Sequence, residues 1–206
     1  MTRAVMRSIA MIVALLGAFA AAPVAAQMFS EGYEFLKAVK DRDGEAVTEA
    51  LNQPGTTIVN TRDLTTGETA MHIVTARRDA VWIKFLAQRG ANPNIRDKKG
   101  VSPLQLAVTL GFAEGVEALI KAGAEVEVTD AAGETPLIAA VHRRDVPLIR
   151  LLLANRGNPD RTDNSGRSAR DYARLMTGNS SILAEFERAD AARKDKGQAG
   201  NYGPTN

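Results

Sequence analysis

The stretch at residues 130–160 decides the fold, and it reads DAAGETPLIAAVHRRDVPLIRLLLANRGNPD. Thr135 can cap a helix, and Pro136 suits the first helical position after it. Apolar residues then recur at helical spacing in two short runs, at residues 137–140 and 148–152. The pattern predicts two short helices back to back, followed by a polar loop. Such a unit cannot bury its own apolar faces, so it needs neighbours.

Copies of this unit recur along the chain with a period of 33 residues. The turn glycines are Gly67, Gly100, Gly133 and Gly166, and the helix caps that follow them are Thr69, Ser102, Thr135 and Ser168. Two of the caps are followed by a proline, Pro103 or Pro136. Four copies in one register indicate a repeat array rather than a single compact fold.

The motifs in these copies resemble the ankyrin repeat family. They read TAMH at 69–72, SPLQ at 102–105, TPLI at 135–138 and SARD at 168–171. The resemblance covers about residues 30–189 and implies an all-α solenoid of about five stacked helix pairs with short β-turn fingers. The helix pairs are expected at about 30–62, 63–96, 97–129, 130–162 and 163–189.

Two departures from the family pattern concern the backbone. Asp63 stands one residue early, with Leu64 where the loop aspartate is usual, so we expect a one-residue insertion in the first finger. Arg156 stands where a helix-ending glycine is usual, and Gly157 follows it. Either the helix runs one residue longer, or Arg156 adopts a left-handed backbone at some energetic cost.

A third departure concerns a tryptophan and a glycine at equivalent positions of neighbouring repeats. Trp82 is the sole tryptophan, and Gly115 occupies the equivalent helical position one repeat later. Glycine inside a helix costs about 1 kcal/mol relative to alanine. We expect the Trp82 ring to pack into the space over Gly115, and an exposed aromatic contact is the alternative.

The two ends of the chain differ from the repeats. Arg3 and Arg7 precede an apolar run at residues 9–22, and small residues follow up to Ala26. This is the pattern of a cleaved signal peptide at 1–26, and the run is shorter than the roughly 20 residues of a spanning helix. An uncleaved anchor is the alternative. The polar residues 190–206 lack periodicity, so we expect a disordered tail after the repeat domain at 27–189.

Charge and cysteine content exclude several classes of protein. The chain has 26 basic and 24 acidic residues, and removal of the two arginines at 1–26 leaves 24 of each sign. This balance does not favour a nucleic acid or a membrane surface as partner. The chain has no cysteine, which excludes disulfides and thiolate chemistry. After processing we expect a periplasmic or secreted monomer without membrane insertion.

The two histidines do not indicate a catalytic or metal site. Neither His72 nor His142 has another histidine within a helical turn, so ligand spacing is absent. The family resemblance implies that His72 hydrogen-bonds the neighbouring loop, and that His142 lies on the contact surface. No phosphate loop, nucleophile elbow or zinc motif is present. We therefore expect a chain that is not an enzyme and needs no cofactor.

The resemblance also implies a concave contact surface of finger tips and inner helix ends. On this chain its expected residues are Arg77, Arg96, Lys98, Lys99, Val101, Leu110, Glu134, His142 and Arg143. Arg77 and Arg143 occupy matching positions two repeats apart, and each is followed after one residue by an aspartate, Asp79 or Asp145. Two interpretations stay open: either these arginines form a basic strip for an acidic partner, or each pairs locally with its aspartate.

The expected function is non-catalytic binding of another exported protein in the periplasm. Folds of this type host binding more often than catalysis, so this expectation is partly an analogy. One alternative is an accessory subunit that supports a periplasmic enzyme. An enzyme in its own right is disfavoured, because no nucleophile or metal constellation is present.

Overall fold

The computed structural model describes residues 24–195, with side chains described from 31 to 194. Within these residues the chain forms ten α-helices and one 3₁₀ helix, Ile58–Asn60, and no regular β-strand. The helices are α1 Val24–Asp41, α2 Gly44–Leu51, α3 Ala70–Ala76, α4 Ala80–Gln88, α5 Pro103–Thr109, α6 Ala113–Lys121, α7 Pro136–His142, α8 Val146–Ala154, α9 Ala169–Leu175 and α10 Ser180–Asp195.

The ten helices form five pairs that stack in chain order. The first helices α1, α3, α5, α7 and α9 each contact the next, and the second helices α4, α6, α8 and α10 do the same. One apolar core runs from Phe35 in α1 to Phe186 in α10, and both rings are buried. The all-α solenoid of five helix pairs predicted from the sequence is therefore confirmed.

Polar side chains fix where each first helix begins. The backbone amide of Gln105 donates to Ser102 Oγ at 3.2 Å, and the side-chain Oε1 of Gln105 accepts from the backbone amide of Ser102 at 3.1 Å. Thr135 Oγ1 accepts from the Ile138 amide at 3.2 Å, with Pro136 in the first helical turn. These bonds satisfy amides that would otherwise lack partners at the helix start.

The fingers are aspartate-centred turns that end in left-handed glycines. Asp97 Oδ1 accepts from the amides of Lys99 and Val101, each at 2.8 Å, and Gly100 has φ 79°. In the first finger Asp63 accepts from the amides of Thr65 and Thr66 instead. The aspartate keeps its role although the loop is one residue longer, as the sequence suggests.

Two of these glycines also lie where consecutive fingers touch. A Cβ on Gly67 would stand 2.8 Å from the Lys98 amide nitrogen, and one on Gly133 would stand 2.8 Å from that of Asn164. The Lys98 amide donates to the Thr66 carbonyl at 2.9 Å, so the fingers are hydrogen-bonded to one another. Glycine is required here by the backbone conformation and by this close approach.

The expected packing of Trp82 over Gly115 is wrong. A Cβ on Gly115 would lie 2.1 Å from Cδ1 of Phe112, so the ring of Phe112 fills that space from the preceding residues of the same repeat. The Trp82 ring instead lies edge-on to Phe85, at 5.7 Å between centroids. Sequence spacing alone cannot show whether the ring over Gly115 comes from the adjacent repeat or from a residue three positions earlier.

The end of the fourth pair resolves the two alternatives for Arg156. Helix α8 ends at Ala154, and Arg156 has a left-handed backbone with φ 70°. The Gly157 amide then donates to the Leu152 carbonyl at 2.9 Å, closing the helix. A Cβ on Gly157 would stand 2.9 Å from that same oxygen, which explains why glycine follows the arginine rather than replacing it.

The last helix extends beyond the predicted end of the domain. The disordered tail was expected from residue 190, but α10 continues to Asp195. Arg170 binds Asp190 at 3.0 Å, and Arg193 donates to the Gly157 carbonyl at 2.9 Å, so these contacts hold the last turns of the helix against its neighbours. Residues 196–206 lie outside the described residues.

The proposed signal peptide falls mainly on residues 1–23, which also lie outside the described residues. Helix α1 begins at Val24, before the expected repeat domain. Among the helices of the described residues, none is long and apolar enough to cross a membrane.

Candidate interaction surface

The fingers and the first helices share one side of the array, which we call the finger face. Side-chain pairs join a finger to a first helix at three places in the described residues. Asp63 lies 3.9 Å from the Lys40 ammonium of α1, and the hydroxyl of Tyr172 in α9 donates to Asp163 at 2.6 Å. The third pair, between Glu134 and the ring of His142, is separated by 3.7 Å. Side-chain contacts therefore join the fingers to the first helices at both ends of this face.

Arg77 does not lie exposed on this face, and the prediction that it does is wrong. Its side chain is only 13% exposed, and its Nε donates to Asp79 at 3.2 Å. Its guanidinium also donates to the Val39 carbonyl of the first pair and lies 4.7 Å from the centre of the Trp82 ring. Burial lowers the pKa of Arg77, although the nearby Asp79 carboxylate opposes this effect. The side chain joins two repeats and is not available to a partner.

Arg143 is exposed, but it also makes an inter-repeat contact. Its Nη1 donates to the Thr109 carbonyl of the preceding pair at 2.8 Å. Asp145 instead accepts from the Leu148 amide at 3.1 Å and caps α8. Of the two sequence interpretations, local pairing therefore holds for Arg77 with Asp79, and it does not hold for Arg143 with Asp145.

The next residues, Arg78 and Arg144, contact the following helix pair, whereas Arg77 and Arg143 contact the preceding one. Arg78 donates to the Leu110 carbonyl of the next pair, and Arg144 donates to the Thr177 carbonyl at 2.8 Å. Both have left-handed backbones, with φ 58° and 57°, and Gly111 holds the equivalent position in the third pair. The double arginines that the sequence suggested for a partner are thus mainly links between repeats.

A basic patch remains around the second finger. Arg96, Lys98 and Lys99 are all exposed, as predicted, and Arg62 lies beside them. Arg62 donates to the Arg96 carbonyl at 2.6 Å, and Arg96 donates to the Thr129 carbonyl at the same distance. Lys98 donates to the carbonyl of Leu64, whereas the ammonium of Lys99 has no partner among the described residues. We call these four residues the second-finger patch.

Arg62 is not among the contact residues predicted from the sequence, because the one-residue insertion in the first finger shifts it out of the 33-residue register. Its match to Arg96 was nevertheless present in the sequence, since the two residues are separated by the 33-residue period plus the one-residue insertion.

Apolar side chains lie on the finger face beside this patch. Val101 and Leu110, both predicted contact residues, are half-buried, as is Ile73 of α3. At the two ends of the face, Leu64 and Leu175 are 69% and 70% exposed. Single exposed apolar side chains are common on protein surfaces, so these two leucines do not by themselves mark a contact site.

A polar cluster occupies the other end of the finger face. The His142 and Tyr172 rings pack edge to face at 4.4 Å, with Glu134 on the other side of His142. The Tyr172 hydroxyl, followed by the Ser165 hydroxyl, holds the pKa of Asp163 far below its usual range. His142 and Glu134 therefore lie on the predicted surface, next to a fixed negative charge.

His72 has a structural role of the kind that the resemblance implies. The ring is buried, and its Nδ1 accepts from the Thr69 amide at 3.1 Å, so Nε2 carries the proton and donates to the Val101 carbonyl at 3.0 Å. Burial lowers the pKa of His72. Among the described residues, no three His, Cys, Asp or Glu side chains lie close enough together to hold a metal ion.

Comparison with known families agrees with this architecture. Models described as ankyrin repeats match residues 35–130, as three copies, and residues 115–173, as many copies. The chain belongs to the ankyrin repeat family. Ankyrin repeats are protein–protein interaction modules and are generally non-catalytic.

The curated relatives of this ankyrin-repeat chain come from unrelated sources. An ankyrin repeat-containing protein of Treponema pallidum is 34% identical over 99 residues, which is 48% of this chain and 33% of that protein. The mouse B-cell lymphoma 3 protein homolog is 30% identical over 108 residues, or 50% of this chain and 24% of that protein. An ankyrin repeat protein of fowlpox virus is 31% identical over 103 residues, or 48% and 30%. The matched segments thus span only a quarter to a third of these relatives.

Proposed function

We propose that this chain is a non-catalytic module, exported to the periplasm, that binds another exported protein through its finger face. The second-finger patch carries this proposal. Lys98 and Lys99 are exposed at the tip of one finger, and the half-buried Val101 and Leu110 belong to the same repeat. Positive charge beside apolar surface suits a partner with an acidic patch around an apolar contact.

Charge complementarity of this kind mainly accelerates association and selects the partner. The patch contains four cations, and the finger aspartate Asp97 is occupied by the turn amides. With the mature chain otherwise balanced in charge, this local excess would attract an acidic surface over about one Debye length, roughly 8 Å at physiological salt. Binding should therefore weaken as salt increases.

Site-directed cross-linking in the native host tests this proposal. A photo-reactive residue in place of Leu64, which is 69% exposed and whose carbonyl accepts from Lys98, should capture one exported protein, and adding Lys98→Glu with Lys99→Glu to the same chain should abolish that capture. The control is Lys84→Glu with Lys121→Glu, because both lysines are exposed on second helices and the charge change is the same. The proposal fails if the finger variant captures the same protein as strongly as the control does.

Export is the other part of the proposal, and it rests on the sequence at 1–26. N-terminal sequencing of the protein isolated from the periplasm should give Gln27 as the first residue. A product that retains Met1 and sediments with the membrane fraction would contradict export with cleavage, and would favour the anchor.

A further inference from the structure

A second charged surface lies away from the finger face, between the second helices of the last two pairs. Helices α8 and α10 enclose a cleft of about 420 Å³ between them. Four arginines line it, and its apolar wall includes Leu153 and small alanines. The arginines are Arg150, Arg156, Arg188 and Arg193, and we call this feature the arginine cleft.

One carboxylate in the lining neutralises only part of this charge. Glu185 is 5% exposed and accepts two hydrogen bonds from Arg150, at 3.0 and 2.7 Å. It accepts a third from Arg188 at 2.6 Å. These bonds, led by that from Arg150, hold the pKa of Glu185 below its ordinary value, so it remains ionised. Two guanidinium groups therefore share a single negative charge.

Arg156 adds a cation that has no carboxylate within ion-pair distance among the described residues. It is exposed at the end of α8, where its left-handed backbone ends the helix. Arg150 and Arg188 are 62% and 67% exposed, so donors that Glu185 does not use remain accessible to solvent. The cleft therefore combines surplus positive charge with unused N–H donors.

The chemistry of the lining selects one kind of occupant. Arginine forks pair with carboxylates in a planar, two-bond geometry. A bare anion would leave the apolar wall in contact with water, whereas an aliphatic side chain would cover it. The volume lies within the roughly 300–1,000 Å³ that is usual for ligand-binding clefts.

We propose that the arginine cleft binds a short acidic peptide segment of a partner protein, with an aliphatic side chain against Leu153 and carboxylates on the surrounding arginines. This surface is separate from the finger face, so the module can hold one partner on each side. Neither site needs to change for the other to bind.

Fluorescence anisotropy with a defined peptide tests the proposal on the purified full chain. The probe is a blocked, labelled hexapeptide, Glu-Asp-Leu-Leu-Asp-Glu. It should bind saturably, and more weakly as NaCl increases from about 20 to about 300 mM. The neutral peptide Gln-Asn-Leu-Leu-Asn-Gln should not bind, and Glu-Asp-Ser-Ser-Asp-Glu should bind at least about tenfold more weakly because it cannot cover the apolar wall.

Matched arginine variants locate the binding site. Arg156→Gln should weaken binding of the acidic leucine peptide by about tenfold. Arg42→Gln is the control, because Arg42 is also exposed, left-handed and without a carboxylate within ion-pair distance in the described chain. Neither change removes a side-chain hydrogen bond or ion pair within residues 31–194, so both variants should fold.

Three results would overturn the proposal. The first is equal loss of binding in both arginine variants, which would mean non-specific attraction. The second is competition by inorganic phosphate as effective as that of the unlabelled peptide, which would mean a simple anion site. The third is loss of peptide binding in Lys98→Glu with Lys99→Glu, which would place the peptide on the finger face. That last variant tests the proposed function separately, because its own readout is cross-linked capture.

Discussion

His72 joins the second helix pair to the next finger in only one protonation state. Its Nδ1 must accept from the Thr69 amide, and its Nε2 must donate to the Val101 carbonyl, so the neutral ring is required. Burial lowers its pKa in the folded chain relative to about 6.5 in the unfolded chain. The unfolded chain therefore binds a proton at a higher pH than the folded chain does.

The free energy of unfolding should therefore decrease as the pH is lowered below about 6.5. Above that pH the contribution of neutral His72 is fully present, and it is lost as the pH decreases toward the lower folded pKa. His72→Gln should remove this part of the pH dependence, because Gln105 makes the equivalent amide-accepting bond in the next repeat without titrating. Urea unfolding at pH 7.5 and at pH 5 measures the difference. Parallel pH profiles for the two proteins would contradict the prediction.

Gly115→Ala should destabilise the protein although alanine is the better helix former. The intrinsic preference favours alanine by about 1 kcal/mol, but the new Cβ would lie 2.1 Å from the Phe112 ring. Forcing a buried ring to move costs typically 1–3 kcal/mol, so we expect a lower melting temperature. In a Phe112→Leu background the same change should be less damaging. A higher melting temperature for Gly115→Ala alone would show that the ring moves freely.

At the scale of elements, the last helix pair is attached by a buried arginine. Arg170 in α9 is 16% exposed and binds Asp160 at 2.8 Å and Asp190 of α10 at 3.0 Å. Arg170→Leu should destabilise the chain by about 1 kcal/mol, since Asp160 loses its arginine and Asp190 keeps only Arg193 at 4.0 Å. Arg174→Leu is the control, because Arg174 is 62% exposed and its ion pair with Asp171 is within one helix. Equal effects in thermal unfolding would mean that the buried network contributes nothing.

The elements themselves could be predicted from the sequence because their signals are local. A cap such as Ser102 and a turn glycine such as Gly100 act within four residues, and they recur with the period. The contacts that a long side chain makes could not be predicted from such local signals. Arg77 and Arg143 occupy matching positions, but the first is buried beside Trp82 and the second is exposed. The difference arises within each pair, because Trp82 follows Arg77 in its own pair, whereas Leu148 holds the matching position after Arg143.

At the scale of the whole molecule, stability should depend on how many neighbours a pair has. Leu36 in the first pair and Leu119 in the third are both buried leucines on helices of the array. The third pair contacts a pair on each side, through α3 and α7 for its first helix and α4 and α8 for its second. The first pair has a neighbouring pair only on its C-terminal side within the described residues.

Leu119→Ala should therefore destabilise the entire array, and Leu36→Ala mainly its first pair. Removal of a buried leucine side chain costs about 2–5 kcal/mol in either place. In the third pair that cost weakens both interfaces, so amide hydrogen exchange should accelerate together in α3 to α8, and urea unfolding should remain a single transition. In the first pair the same loss of stability should lead only to local unfolding of α1 and α2. Amide hydrogen exchange in α7 to α10 should then remain unchanged. If Leu119→Ala accelerated exchange only in α5 and α6, the core of the array would not act as one cooperative unit.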